Sequence, residues 1–153
     1  MKHFSVLIII FLSYNFLYSQ QENQTTRILF VLDGSQSMSG QWEKARKIDV
    51  ATKLLANMID SLSKEENVQM ALRVYGHQSY VPPQDCDDTK LEVPFYDNNA
   101  RKIKLKLKSI RPKGTTPIAY SLEKASGDFP DDPTARNIII LITDGVEACE
   151  GDP

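Results

Sequence analysis

Three short segments of this chain carry hydroxyl and carboxylate side chains that suit a small divalent cation. In the first, Asp33 is followed at alternate positions by Ser35 and Ser37. The second holds Thr116 directly before a proline, and the third holds Asp144 within a Thr-Asp-Gly triplet. Hard oxygen donors of this kind are the ligands that Mg²⁺ and Mn²⁺ take in proteins. We therefore expect a metal site, and its candidate ligands are Asp33, Ser35, Ser37, Thr116 and Asp144.

The elements predicted around these segments would bring them to one edge of a sheet. Residues 27–32 and 137–142 are continuous apolar runs bounded by turn residues, which is typical of parallel strands buried on both faces. Thr116 and Pro117 suit a helix start, because they place a hydroxyl at the N-cap and a proline in the first turn. Ligands of open α/β sheets gather at the carboxyl ends of strands. The three segments are therefore expected to meet there.

The rest of the chain alternates between helix and strand patterns. The predicted elements are an amphipathic helix at 42–62, a strand at 68–75, a short edge strand at 91–95, a helix at 99–110 capped by Asp97 or Asn98, and a helix that ends before Gly127. This order predicts an α/β fold, a Rossmann-like doubly wound and mostly parallel sheet with helices on both faces. The strand at 137–142 would have a bare apolar edge, so we also expect the domain to be C-terminally incomplete.

The motif Asp-x-Ser-x-Ser at 33–37, the threonine before Pro117 and the aspartate at 144 resemble the metal-ion-dependent adhesion site of von Willebrand factor type A domains of the exported bacterial type. The resemblance covers residues 27–146. It implies the fold of that family and a Mg²⁺ or Mn²⁺ ion, whose coordination is completed by a carboxylate of a partner protein. Thr116 matches the family's central threonine, although Thr115 could exchange roles with it.

The resemblance implies an adhesion-like binding module, and two alternative functions compete with it. A Mg²⁺-dependent phosphatase of the haloacid dehalogenase kind also begins its first motif after an apolar strand. Its nucleophilic aspartate would lie two residues before Asp33, where the chain has Val31, so that mechanism lacks its nucleophile. The second alternative is an adaptor subunit of a chelatase or other ATPase complex, against which the export signal argues. We therefore expect no catalytic residue and no enzyme activity.

The first twenty residues have the pattern of a secretory signal peptide. Lys2 and His3 precede an apolar stretch, and Ser19 and Gln20 offer a cleavage point. A spanning helix needs roughly 20 apolar residues, and this stretch is interrupted earlier. We expect an exported protein, periplasmic, on the outer surface or secreted, with a signal peptide at 1–20, a linker at 21–26, the domain at 27–153 and no membrane span. The net charge of −2 argues against nucleic acid as a partner.

Export makes the two cysteines, Cys86 and Cys149, candidates for a disulfide. The alternative is that each pairs with a cysteine beyond residue 153. Asp85, Asp87 and Asp88 lack the ligand spacing of an EF-hand and are predicted to form a solvated acidic loop.

Two further polar features are His77 and a group of basic residues on the predicted helix at 99–110. His77 is expected to be a hydrogen-bonded loop residue. The basic residues of the helix at 99–110 and those flanking it are predicted to form a solvated face, with binding to an acidic partner as the alternative.

Overall fold

The computed structural model describes residues 24–153, so the predicted signal peptide lies outside the described residues. The elements in chain order are β1 (Thr26–Asp33), a 3-10 turn (Gln36–Ser39), β2 (Gln41–Trp42), β3 (Ala45–Arg46), α1 (Lys47–Leu62), β4 (Val68–Tyr75), β5 (Thr89–Tyr96), α2 (Ala100–Ser109), α3 (Ile118–Ser126) and β6 (Arg136–Ile142).

The four long strands form one sheet in the order β5-β4-β1-β6. Strand β1 is parallel to both of its neighbours, whereas β5 is antiparallel to β4 and lies at an edge. Because three parallel strands need crossover connections, helices cover the sheet. The predicted α/β fold, with a mostly parallel sheet and an edge strand near residues 91–95, is therefore confirmed.

Side chains of β1 alternate between two apolar cores on opposite faces of the sheet. One core contains Ile28, Phe30 and Leu32 together with residues of α1 and α2. The other contains Leu29 and Val31 together with residues of α3. Burying a large apolar side chain contributes about 1.5–3 kcal/mol, and all five of these are buried. The strand is thus fixed from both sides, and so is the position of its last residue.

The helix predicted at 42–62 begins only at Lys47, so the prediction was wrong for its first turn. Residues 41–46 form the small antiparallel hairpin of β2 and β3 instead. Within it, Glu43 has a φ of 55°, and a residue in this left-handed conformation cannot continue a right-handed helix. The hairpin places the start of α1 next to the 3-10 turn, because the amide of Lys47 donates to the carbonyl of Gly40 at 2.9 Å.

The cap predicted for α2 was also wrong. Its N-cap is Asn99, which makes no side-chain capping bond. The Asn99 amide instead donates to the carbonyls of Met70 at 2.6 Å and Pro94 at 3.0 Å, and so ties the helix start to β4 and β5. Of the basic face predicted on this helix, Lys104 pairs with Asp60 of α1.

Part of the segment predicted as a linker at 21–26 belongs to the sheet. Thr26 is the first residue of β1 and pairs with Val68 and Arg136. The amide of Arg136 also donates to the carbonyl of Thr25 at 2.8 Å. The domain therefore begins slightly earlier than the sequence predicted, because these backbone groups complete the strand ladder.

Cys86 and Cys149 form a disulfide with their Cα atoms 5.9 Å apart, which is one of the two alternatives that the sequence left open.

The prediction of a solvated acidic loop was wrong for Asp88, because this residue is buried. Its Oδ2 accepts hydrogen bonds from the amides of Gln78 at 2.9 Å and Ser79 at 3.0 Å. These bonds offset the cost of burying its charge.

His77 is a hydrogen-bonded loop residue as predicted, since its Nε2 lies 2.9 Å from Glu92 Oε1.

Within residues 24–153, no helix combines the length and the apolar character that crossing a membrane requires.

Candidate metal centre

The Asp33 side chain lies at the carboxyl end of β1 and is completely buried. Its Oδ1 accepts a hydrogen bond from the amide of Ser35 at 2.7 Å, and its Oδ2 accepts one from the hydroxyl of Thr143 at 2.8 Å. A buried carboxylate keeps its charge only where such donors or a cation compensate it. Asp33 is thus held at the point where β1 and β6 end.

The hydroxyls of Ser35 and Ser37 lead from this point to the last predicted ligand. The two Oγ atoms are hydrogen-bonded at 3.0 Å, and Ser37 donates to Asp144 Oδ1 at 2.8 Å. The alternating spacing of the two serines allows this, because the chain turns into the 3-10 turn directly after Ser35. Four of the five predicted ligands therefore lie in one connected group.

Thr116 lies beside the same group, in the loop before α3. A Cβ built on Gly145 would lie 3.8 Å from Thr116 Cγ2 and 4.0 Å from Ser37 Oγ, so both side chains adjoin Gly145. The cap predicted for Thr116 was wrong, because Pro117 is the N-cap of α3 and no side-chain capping bond forms. Within residues 24–153 the Thr116 hydroxyl makes no hydrogen bond, and it is available to another ligand.

Backbone contacts around Gly76 lock together the loop after β1, the loop after β4 and the loop before α3. The amide of Gly114 donates to the carbonyl of Gly76 at 2.8 Å, and the amide of Gln36 donates to the carbonyl of Gly114 at 2.8 Å. Gly76 has a φ of +64°, and a Cβ there would lie 2.3 Å from the carbonyl oxygen of Thr115. Only glycine fits this position, because the loops approach it too closely for any side chain.

Lys47 at the start of α1 contacts the group from the solvent side. Its ammonium donates to Asp144 Oδ2 at 2.5 Å. Burial raises the pKa of Asp144, but the hydrogen bonds from Lys47 and Ser37 lower it more, so the carboxyl pKa lies below its ordinary value. Asp144 is therefore a carboxylate at neutral pH.

The Tyr75 hydroxyl is buried near the same carboxylates, and the structure gives it no hydrogen-bond partner. Burial, and next the charge of Asp33, raise the pKa of Tyr75, so the phenol stays protonated. The two carboxylates and three hydroxyls of the candidate ligands make a donor set that fits Mg²⁺ or Mn²⁺. No group of three or more His, Cys, Asp or Glu side chains in residues 24–153 could hold a metal, so a cation here depends on the hydroxyls.

Sequence reasoning missed three residues of this centre. Thr143 belonged to the triplet that singled out Asp144, but its bond to Asp33 spans 110 positions of the chain. Lys47 is 97 positions from Asp144. Tyr75 ended a predicted strand and gave no other signal. Local pattern could have suggested only Thr143, because hydroxyls beside a ligand often orient other ligands.

The family model of the von Willebrand factor type A domain matches residues 28–147. The chain belongs to this family. It is similar to the uncharacterized protein YwmD of Bacillus subtilis, with 31% identity over 141 residues. That alignment covers 89% of this chain and 62% of YwmD, so the chain spans less than two thirds of the relative's length.

Solved structures with the same fold include two pilus proteins. One is the von Willebrand factor domain of the type V pili tip protein Mfa5 from Porphyromonas gingivalis, with a TM-score of 0.66 and 20% identity over 81% of this chain and 39% of that one. The other is the pilus adhesin SpaC from Lactobacillus rhamnosus GG, with a TM-score of 0.67 and 21% identity over 84% of this chain and 16% of that one. At these identities the likeness shows the fold.

Proposed function

We propose that this domain is an exported, adhesion-like binding module that holds Mg²⁺ or Mn²⁺ with Asp33, Ser35, Ser37, Thr116 and Asp144 and binds an acidic group of a partner protein. The observation that carries the proposal is the hydrogen-bonded sequence from Ser35 through Ser37 to Asp144, next to the buried carboxylate of Asp33. It supports the proposal because it joins oxygen donors that are 107 positions apart in the sequence.

The donor set supports binding of an acidic ligand. When bound, a six-coordinate cation would supply positive charge and at least one exchangeable position, because the protein offers at most five oxygens. Three of those five donors are neutral hydroxyls, which would ligate the cation without adding negative charge against an incoming carboxylate. Asp33 is fixed by Ser35 and Thr143, and Ser35, Ser37 and Asp144 are joined by hydrogen bonds in that order.

Two proteins that contain a domain of the same fold support an extracellular, adhesion-like role. Mfa5 is a pilus tip protein and SpaC is a pilus adhesin, and both contain a domain of this fold. A phosphatase is not supported, because Val31, at the position of its nucleophile, is a buried apolar residue of β1.

Titration calorimetry of the exported protein with Mg²⁺ and with Mn²⁺ tests the metal site. We expect saturable binding by the parent and none by Asp33→Ala. Asp131→Ala is the matched control, since Asp131 is exposed and makes no ion pair with another residue of 24–153. Equal affinity of the parent and Asp33→Ala would show that the ligand assignment is wrong.

Partner capture tests the binding role. The parent and Asp33→Ala are immobilised and exposed to the host's extracellular proteins, in Mg²⁺ and in chelator. We expect a protein that only the parent retains, and only with Mg²⁺. Retention unaffected by chelator, or Mg²⁺-dependent release of phosphate from a phosphomonoester, would contradict the proposal.

A further inference from the structure

Lys47 places a fixed positive charge at the candidate metal centre. Its ammonium donates to Asp144 Oδ2 at 2.5 Å, while the hydroxyl of Ser37 donates to Oδ1 at 2.8 Å. Both oxygens of this carboxylate are therefore engaged by the protein. Among the ion pairs of residues 24–153, this is the one that involves a candidate metal ligand.

The backbone around Lys47 keeps the ammonium at this place. The amide of Lys47 donates to the carbonyl of Gly40 at 2.9 Å, at the junction of the 3-10 turn and α1. A Cβ on Gly40 would lie 3.7 Å from Lys47 Cε and 4.0 Å from its Nζ, so the side chain runs along that turn. The Lys47 side chain is 34% exposed and that of Asp144 only 13%. The pair is thus partly shielded from water, and its charges interact more strongly than a fully exposed pair.

We propose that Lys47 is a built-in competitor of the divalent cation at Asp144, which stabilises the metal-free centre and weakens its metal affinity. This inference rests on the metal site proposed above. Without a cation, Lys47 offsets one of the two carboxylate charges of Asp33 and Asp144. With a divalent cation bound, the ammonium either gives up Oδ2 or remains as a second positive charge a few ångströms away. Both outcomes cost binding free energy, because the pair is lost or like charges repel.

The charge balance also favours an acidic partner. Two carboxylates and a divalent cation sum to zero, and Lys47 adds one positive charge to that sum. The loaded centre would then be cationic on its solvent side, where Lys47 is partly exposed. A weaker hold on the metal is thus coupled to a stronger attraction for a carboxylate.

Titration calorimetry with Mg²⁺ alone and Mn²⁺ alone tests the inference on the exported protein and its Lys47→Met variant. Loss of one partly exposed pair corresponds to a change in Kd of roughly fivefold, and we expect Lys47→Met to bind both cations that much more tightly. Lys53→Met is the matched control, because Lys53 is an exposed lysine of the same helix without an ion pair to another described residue. Lys47→Arg keeps the charge and is expected to stay near the parent.

Thermal unfolding supplies a second readout. In chelator, Lys47→Met is expected to melt below the parent, and in saturating Mg²⁺ its gain in Tm is expected to exceed that of the parent. Lys47→Gln, which is neutral but can still donate to Asp144, gives a second neutral variant should Lys47→Met not fold.

The outcomes separate the two proposals. If the parent binds the cation and neutral variants at Lys47 bind it equally or more weakly, the competitor role is overturned while the metal site stands. If the parent binds neither Mg²⁺ nor Mn²⁺, both proposals are overturned.

Discussion

The hydroxyl of Thr143 donates a hydrogen bond to Asp33 Oδ2 at 2.8 Å and thereby joins the loop after β6 to the end of β1. Asp33 is fully buried, and its other oxygen accepts the amide of Ser35. Thr143 thus sets the rotation of the carboxylate that faces the candidate metal centre.

Replacing Thr143 by valine keeps the shape of the side chain and removes this donor. Because groups that orient a metal ligand typically contribute 10–100-fold in affinity, we expect the Kd for Mg²⁺ to rise by about tenfold or more. Calorimetry measures it. Thr143→Ser retains the hydroxyl and should bind like the parent; equal binding by the valine variant would show that Thr143 does not position Asp33.

Gly76→Ala should damage both the fold and the centre. Gly76 has a φ of +64°, and its added Cβ would lie 2.3 Å from Thr115 O and 2.9 Å from Ser35 N. Backbone strain alone costs roughly 1–3 kcal/mol, and the clash forces the two ligand-bearing loops apart. Urea unfolding and Mg²⁺ titration should both show losses. Gly127→Ala is the control, since its nearest neighbour would be 3.6 Å away, and a loss of the same size there would contradict this explanation.

Removing the disulfide by replacing Cys86 and Cys149 with serine should lower the free energy of unfolding. On the chain-entropy model, a bridge that spans 63 positions stabilises the fold by about 4 kcal/mol. Urea unfolding with and without reductant measures the difference, and the doubly substituted protein should not respond to reductant. The loss of metal-binding free energy should be smaller than this loss of stability. The amide of Ala148 also holds this loop, because it donates to the carbonyl of Thr116 at 3.1 Å. A parent whose unfolding is unaffected by reductant would contradict the prediction.

Stability in acid should depend on Glu92, whose side chain is only 7% exposed. Burial raises its pKa, but hydrogen bonds from Lys106 and His77 outweigh burial and lower the pKa from 4.5 to about 2. A lowered folded-state pKa gives stability that is present above pH 4.5 and is lost as the pH falls towards 2.

We expect Glu92→Gln to be less stable than the parent at pH 7 by roughly 1–2 kcal/mol, after allowance for screening, and the difference to shrink as the pH falls from 4.5 to 2. Thermal unfolding across this range measures it. Glu65→Gln, at an exposed position, should follow the parent. A difference that is independent of pH would point to packing and not to charge.

Local pattern was sufficient for the main elements and for the composition of the site. The apolar runs of β1 and β6 predicted strands, and the polar residues after each of these parallel strands lie at the same sheet edge. Burial on both faces was predicted correctly for β1 but wrongly for β6, which is an edge strand of half-buried and exposed residues. Local pattern failed at residues 41–46, where the left-handed Glu43 breaks the expected helix. It failed again at Asp88, whose charge suggested solvent exposure but whose carboxylate binds amides nine and ten positions away.

The sequence by itself determined which chemical groups the site contains. The apolar runs show where the strands end, and the side chains that follow each run are known from the sequence. Only the tertiary structure decided how those groups meet. Ser37 reaches Asp144 across 107 positions, and Lys47 reaches the same carboxylate from a helix start that no local signal linked to it. Such contacts depend on the sheet order β5-β4-β1-β6 and on the crossing of loops at Gly76. Neither is encoded in any short stretch of the chain, because strand pairing is settled by the packing of the whole domain.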